Sequence, residues 1–368
     1  MISRFTRLFV ALCMAAACGL VSAQPAGALG DDFIYRVRSG DTLIKLAGTY
    51  TRDEANWSVL QRLNSVTDPY RLMIGKELHI PLAMIPEVPA ATSVVHVSGS
   101  ANMNGVPLRP GMPVAEGSTI TTSDNGFVTL QLADGTKVRL PQQGTTHLER
   151  LRQFEGTALT DSILRVQSGV VDSHVAPAGQ GVGRFEVRTP VAVTGVRGTR
   201  FRVQAGAQGA RSEVVEGSVR LRPHAPNSAP ERTLAVATGY GAAIGADGVL
   251  AGVHPLLPAP ELGAPQRAGG GQWTSTVTPV PGAVAYHVQV SRDAEGLELT
   301  SSRQFDSTDI RYAAPGGGTH YVTVRAIDAL GLEGRDARLA FEGANVLTTA
   351  SGLPVSLYDG GVVTLADY

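Results

Sequence analysis

Tyr35-Arg36-Val37-Arg38-Ser39-Gly40-Asp41-Thr42-Leu43-Ile44-Lys45-Leu46-Ala47 reads as a strand, a tight turn with a helix cap, and the first turns of a helix. Tyr35 and Val37 alternate with Arg36 and Arg38, the period of a short half-buried strand. Gly40 permits a turn that a side chain would obstruct. Asp41 or Thr42 can cap the helix, because a side-chain oxygen there accepts an orphan N–H of the first turn. Leu43, Leu46 and Ala47 then recur at helical spacing. A matching half follows: Trp57, Leu60 and Leu63 make a second short apolar helix face, and Glu77-Leu78-His79-Ile80 forms a strand that stops at Pro81. Between them lies a punctuated loop, Thr67 to Gly75.

From Tyr35 to Pro81 these residues resemble a LysM module, a small βααβ domain that binds N-acetylglucosamine-containing polymers. Y-x-V-x-x-G-D-T-L at the front and L-x-x-G-x-x-L-x-I-P at the back carry the resemblance. It implies a shallow groove between two loops, Ser39-Gly40-Asp41-Thr42-Leu43 and Thr67-Asp68-Pro69-Tyr70-Arg71-Leu72. Loop N–H and C=O groups there can bond an acetamido group, and Leu43, Pro69 or Tyr70 can cover its methyl or a sugar face. Gly40, Asp41 and Leu43 can equally serve only the turn and its cap, and for Asp41 both roles stay open. His79 stands where the family often has Lys or Arg, on the last strand and away from the groove.

The chain of 368 residues has room for two or three cores. Its 43 glycines and 22 prolines, with 17% charged residues, imply many turns and short strands. A formal charge of -1 leaves no basic footprint for nucleic acid. Arg4 and Arg7, the apolar run Leu8 to Leu20 and Val21-Ser22-Ala23 before Gln24 read as a signal peptide over residues 1–23. Both cysteines, Cys13 and Cys18, fall in this leader, so the mature chain would have no disulfide and no transmembrane span. A rival reading anchors a lipid at Cys18; Ala15 stands where leucine is usual in that cleavage box, so the cleaved, periplasmic or secreted form is preferred.

Residues 33–82 are assigned to the LysM module and 83–93 to an extended Pro/Ala linker. An all-β domain then spans 94–222. Short alternating segments recur there between Asp124-Asn125-Gly126, Ala133-Asp134-Gly135 and Glu216-Gly217 turns: Gly126–Leu132, Lys137–Leu140, His147–Leu151, Ile163–Val166, Phe185–Val187, Arg200–Val203 and Ser218–Leu221. Leu108-Arg109-Pro110-Gly111, Gly117-Ser118-Thr119-Ile120 and, most specifically, Gly195-Val196-Arg197-Gly198-Thr199 resemble the FecR domain over about Val97 to Leu221. Membrane-anchored relatives sense iron-siderophore uptake and control a sigma factor, through a cytoplasmic segment and a membrane span ahead of the domain. A leader and a sugar-binding module stand there in this chain, so the resemblance implies a periplasmic β-scaffold. Arg197 and Thr199 read first as turn residues, with Thr199 bonding the backbone. Arg139, Arg165, Arg188, Arg202 and Arg220 each fall on the outward side of a strand, as a solvated face or a cationic one.

Residues 223–271 read as a loop-rich connector closed by a Gly269-Gly270-Gly271 hinge. Residues 272–345 resemble a fibronectin type III sandwich, with Trp273, Tyr286 and Tyr321 as core or corner residues. A 346–368 tail follows, with a candidate strand at Gly361 to Leu365. The fold class is thus multidomain and mainly β: a small βααβ module, an all-β domain and a β-sandwich. No two of the eight histidines sit at metal-ligand spacing on a helix, there is no G-x-S-x-G elbow, and Gly239-Tyr240-Gly241 lacks the βαβ frame of a phosphate loop. These patterns point to a non-enzymatic binding protein without cofactor, whose partners are peptidoglycan glycan chains and an unidentified envelope protein. The alternative is a periplasmic sensor acting through the FecR-like domain.

Overall fold

The computed structural model describes residues 27–29, 31–176, 182–196, 198–223, 233–269, 272–314 and 316–343, with Val355 and Val363. The segment read as a leader, with both cysteines, Arg197 and most of the tail lie outside the described residues. The chain is mainly β, with two short α-helices confined to its N-terminal module.

In that module Asp32–Arg36 pairs antiparallel with Glu77–Pro81, placing Phe33 opposite Ile80 and Tyr35 opposite Leu78. The helix Leu43–Thr51 buries Leu43, Leu46, Ala47 and Tyr50, an i, i+3, i+4, i+7 stripe. Phe33, Tyr35 and Tyr50 meet as tilted rings with centroids 5.1–6.3 Å apart. The second helix, Trp57–Leu63, buries Leu60 and leaves Leu63 exposed, so its apolar face is narrower than its sequence spacing implies.

The stretch 83–93 is not a free tether. Glu87–Pro89 is a strand paired with Thr145–Phe154, and Ile85 is buried in the core of the N-terminal module. Phe154 and Leu159, from the following domain, complete that core. A Pro-rich strand of three residues reads as a linker because its partner is more than 60 residues away in sequence.

The next unit is a hydrogen-bonded network of strands that closes on itself, running from Glu87–Pro89 to Leu250–Pro255. Its strands lengthen most of the segments anticipated from alternation, and Lys137–Leu140 coincides with one. The long strand Thr160–His174 serves both sides of the closure. Its first half pairs with Thr145–Phe154 and, in parallel, with Val182–Arg188; its second half pairs with Lys137–Leu140 and Arg200–Gly206. It turns at Gly169, whose φ is +89° and where a Cβ would stand 2.5 Å from the Cα of Gly144. The interior is filled by apolar side chains including Val128, Leu148, Leu164, Phe185, Phe201 and Val214.

The closure uses much of the stretch read as a connector. Leu234–Ala237, Tyr240–Ile244 and Leu250–Pro255 are strands, with Val219 opposite Val236 and Ser212 opposite Ala242. Pro223 and Pro255 sit at strand ends, where the missing N–H costs little. Small residues such as Ala242 and Ala243 carry too weak an alternation to announce a strand.

The C-terminal unit has a three-stranded sheet and a four-stranded sheet around Trp273, Tyr286, Tyr312, Val288 and Val324. Gly269 ends a strand, Gln266–Gly269, that pairs with Gln272–Thr276, so the sheet begins before the anticipated boundary. Tyr286 is buried and its hydroxyl accepts from the Val280 N–H at 2.9 Å. Tyr321 is only half-buried, and the core ring is Tyr312.

The proposed arginine face is corrected by this unit. Arg139 and Arg202 do point out of the closed sheet, yet both are about as buried as any residue, at 1% and 2% exposure. The C-terminal sandwich packs over them. Arg139 pairs with Asp172 and donates to the Gly296 carbonyl. Arg202 donates to the carbonyls of Glu333 (2.8 Å) and Gly334 (2.9 Å). Arg325, from the sandwich, binds Asp336 and Glu333, and Asp336 also accepts from Arg200 at 2.9 Å. Arg165 and Arg188 share Glu149 on the exposed side.

Candidate functional site

The two loops named from sequence adjoin. The Leu43 N–H donates to the Pro69 carbonyl at 3.0 Å, which fixes the start of the first helix against the second loop. Gly40 occupies the left-handed region at φ +85° with open space around its Cα, as the reversal before the helix requires. Asp41 Oδ2 accepts from the Arg38 N–H at 2.7 Å and from the Tyr35 hydroxyl at 2.8 Å. The helix cap is Thr42, whose Oγ1 accepts from the Lys45 N–H at 3.3 Å. Asp41 therefore braces the turn against the first strand. Burial, then this bond to Asp41, pushes the Tyr35 phenol well above its ordinary pKa.

The second loop is braced in the same way. Asp68 Oδ1 accepts from the Tyr70 N–H at 2.9 Å, and the Arg71 N–H donates to the Asp68 carbonyl. Ser39, Gly40, Asp68, Tyr70 and Arg71 are exposed, while Asp41, Thr42, Pro69 and Leu72 are half-buried. Leu43 is the exception. Its side chain has no exposed surface and belongs to the module's core, so it cannot cover a sugar, and its N–H is already used. Tyr70, Met73 and Ile74 are 67%, 76% and 68% exposed, an apolar group beside a polar loop. Met73 and Ile74 were not among the residues singled out from sequence. An apolar Leu72-Met73-Ile74 run reads as core, and only its position in a loop before Gly75 hints otherwise. His79 sits on the final strand, bonded to Asp32 at 3.1 Å, and takes no part in either loop.

In the second domain, Thr199 is buried but its Oγ1 has no hydrogen-bond partner among the described residues, so it does not bond the turn as anticipated. Among the described residues no group of three or more His, Cys, Asp or Glu side chains could hold a metal ion. No helix among them is long and apolar enough to cross a membrane, which says nothing of strands.

A cleft of about 610 Å³ separates the N-terminal module from the outer face of the closed sheet. Asp31, Leu82 and Ala83 line one side; Arg184, Arg220 and Arg222 line the other.

Two family models match: the LysM domain over residues 35–81 and the FecR protein family over residues 118–220. No curated protein matches. Among solved structures, a putative anti-sigma factor from Parabacteroides distasonis ATCC 8503, determined at 1.65 Å, aligns at 17% identity and a TM-score of 0.30. A second structure with the same description, at 2.50 Å, aligns at 18% identity and a TM-score of 0.29. Each alignment covers 37% of this chain and 59% of the other, so this chain spans little more than half their length. The chain thus carries a LysM domain, of a type that binds glycans, and a FecR domain, of a type that serves extracytoplasmic regulation; both are non-catalytic modules.

Proposed function

We propose that this is a non-catalytic cell-envelope protein that holds peptidoglycan through its LysM domain and presents its β domains to an envelope partner. The observation that carries the reading is the tied pair of loops. Leu43 N–H to Pro69 O sets two braced turns side by side, with Tyr70 exposed between polar backbone groups. Sugars are held by such a combination of an aromatic face and fixed polar groups. Ser39, Gly40, Thr42, Asp68, Pro69, Arg71 and Leu72 form the rest of this glycan site, with Asp41 holding the first turn in place beneath it. The leader over 1–23 would release the chain into the periplasm or beyond. The C-terminal unit reads as a fibronectin type III-like sandwich, supported by its three- and four-stranded sheets and the Tyr286 hydroxyl bonded to the backbone.

Titration of the full chain with N-acetylglucosamine tetramer tests the reading. Saturable binding is expected, weakened about tenfold, or ~1.4 kcal/mol, in Tyr70→Ala. Unchanged binding in that variant removes the loops from the site. A second reading, a sensor acting through the FecR domain, is favoured by the match over 118–220. It predicts a cellular phenotype that survives Tyr70→Ala and is lost when the exposed face of the closed sheet is altered.

A further inference from the structure

The outer face of the closed sheet beside the cleft carries an orderly set of charges. Glu186, Gly195 and Arg220 lie in one row across three neighbouring strands, and Arg188, Val193 and Arg222 in the next. Most of these charges are committed. Asp161, 1% exposed, is clamped between Arg150 and Arg184. Glu186 pairs with Arg188, and Glu87 with Arg150. Arg220 and Arg222 are exposed, and their side chains make no hydrogen bond or ion pair among the described residues. They stand two residues apart on one face of Ser218–Pro223, about 7 Å along the strand. Gly195 beside Arg220 leaves the floor open: a Cβ there would meet only Glu186 Cγ, at 4.0 Å. The opposite wall, Leu82 and Ala83 with the exposed carboxylate of Asp31, flanks the LysM module.

We infer that this cleft is a second binding site, for the carboxylate-bearing peptide attached to the wall glycan. Two free guanidiniums at this spacing fit carboxylates, which arginine's planar fork takes in bidentate fashion. An open floor bounded by a half-apolar wall admits an extended peptide backbone. Joined to the sugar contacts, this site raises retention on the polymer by effective concentration, without tight binding at either site. The source of the carboxylate rests on the peptidoglycan reading above; the site itself does not.

The test titrates the full chain separately with the free stem tetrapeptide and with neutral N-acetylglucosamine tetramer. Arg220→Gln/Arg222→Gln is the principal variant; both side chains are exposed and unpaired, so the fold is expected to persist, which circular dichroism checks. Saturable peptide binding in the parent, weakened at least tenfold in this variant with tetrasaccharide binding unchanged, is the expected result. Equal peptide binding in parent and variant overturns the proposal, as does absence of peptide binding to the parent at millimolar concentration. Acetate displacing the peptide at equal concentration also overturns it, because the site would then be one for bare anions. Loss of tetrasaccharide binding alone in the parent would sink the LysM reading and leave the cleft standing.

Discussion

At the residue scale, two donors converge on Asp41 and hold the turn ahead of the first helix. Asp41 was open between cap and ligand, and its two accepted bonds, from Arg38 N–H and Tyr35 hydroxyl, assign it to the turn. Asp41→Ala is expected to cost about 1–3 kcal/mol, since two donors lose a charged acceptor. Urea denaturation measures this, and loss of glycan binding with no change in midpoint would instead make Asp41 a ligand contact. Leu43 shows the opposite limit. Its place in a G-D-T-L motif is legible, while its complete burial follows from the packing of Phe33, Tyr50 and Leu78 around it. Arg139 and Arg202 were read correctly as lying outside the closed sheet. Period-2 alternation reports which face a residue takes, but not that another domain covers that face.

At the element scale, alternation and turn residues were enough to find Lys137–Leu140 and, as Arg200–Val203, the first half of Arg200–Gly206. Strands built of small residues, such as Tyr240–Ile244, and the short Glu87–Pro89 were not legible, because their signal comes from pairing with distant partners. The two loops at 39–43 and 67–72 were expected to lie together and they adjoin; the Leu43–Pro69 hydrogen bond that ties them was not legible, since main-chain bonds leave no mark on residue type. The 15-residue strand Thr160–His174 organises the closed sheet, and Gly169 is where it passes from one side to the other. Gly169→Ala combines a positive φ with a contact of 2.5 Å to main chain. We expect a loss of about 2 kcal/mol or more, read as a lower thermal midpoint. An unchanged midpoint would mean the crossing tolerates rearrangement.

At the scale of the whole molecule, two kinds of seam join the domains. The first is apolar: Phe154 and Leu159 of the closed sheet sit in the LysM core. The second is ionic, where buried Arg139, Asp172, Arg202 and Arg325 meet the half-buried Glu333 and Asp336 between the closed sheet and the sandwich. Such networks contribute little net stability when intact, while removing one member leaves an uncompensated buried charge. Within it Glu213, wholly desolvated, is pushed up to about 7, against the pull of Arg202 and with the repulsion of Glu333. A carboxyl raised in the folded state contributes stability fully present below its ordinary value near 4.5 and lost as pH rises through about 7. Asp172 and Asp336 are held below the usual range by arginines, so their contribution is present at neutral pH and lost only on acidification. Glu213→Gln should therefore flatten the fall in stability between pH 5 and 8, by up to about 3 kcal/mol, with unfolding free energy at the two pH values as the measure. Parallel pH curves for parent and variant would contradict that assignment. Because the LysM core borrows Phe154 and Leu159, deleting the module would expose them, and point substitution is the cleaner probe of its role. The decisive measurement is co-sedimentation of the full chain with purified insoluble peptidoglycan, beside Tyr70→Ala/Arg71→Ala. The parent is expected to pellet with the polymer, while the variant, equally folded, stays largely in the supernatant. Equal pelleting of both, or of neither, would contradict the claim that the paired LysM loops hold the wall.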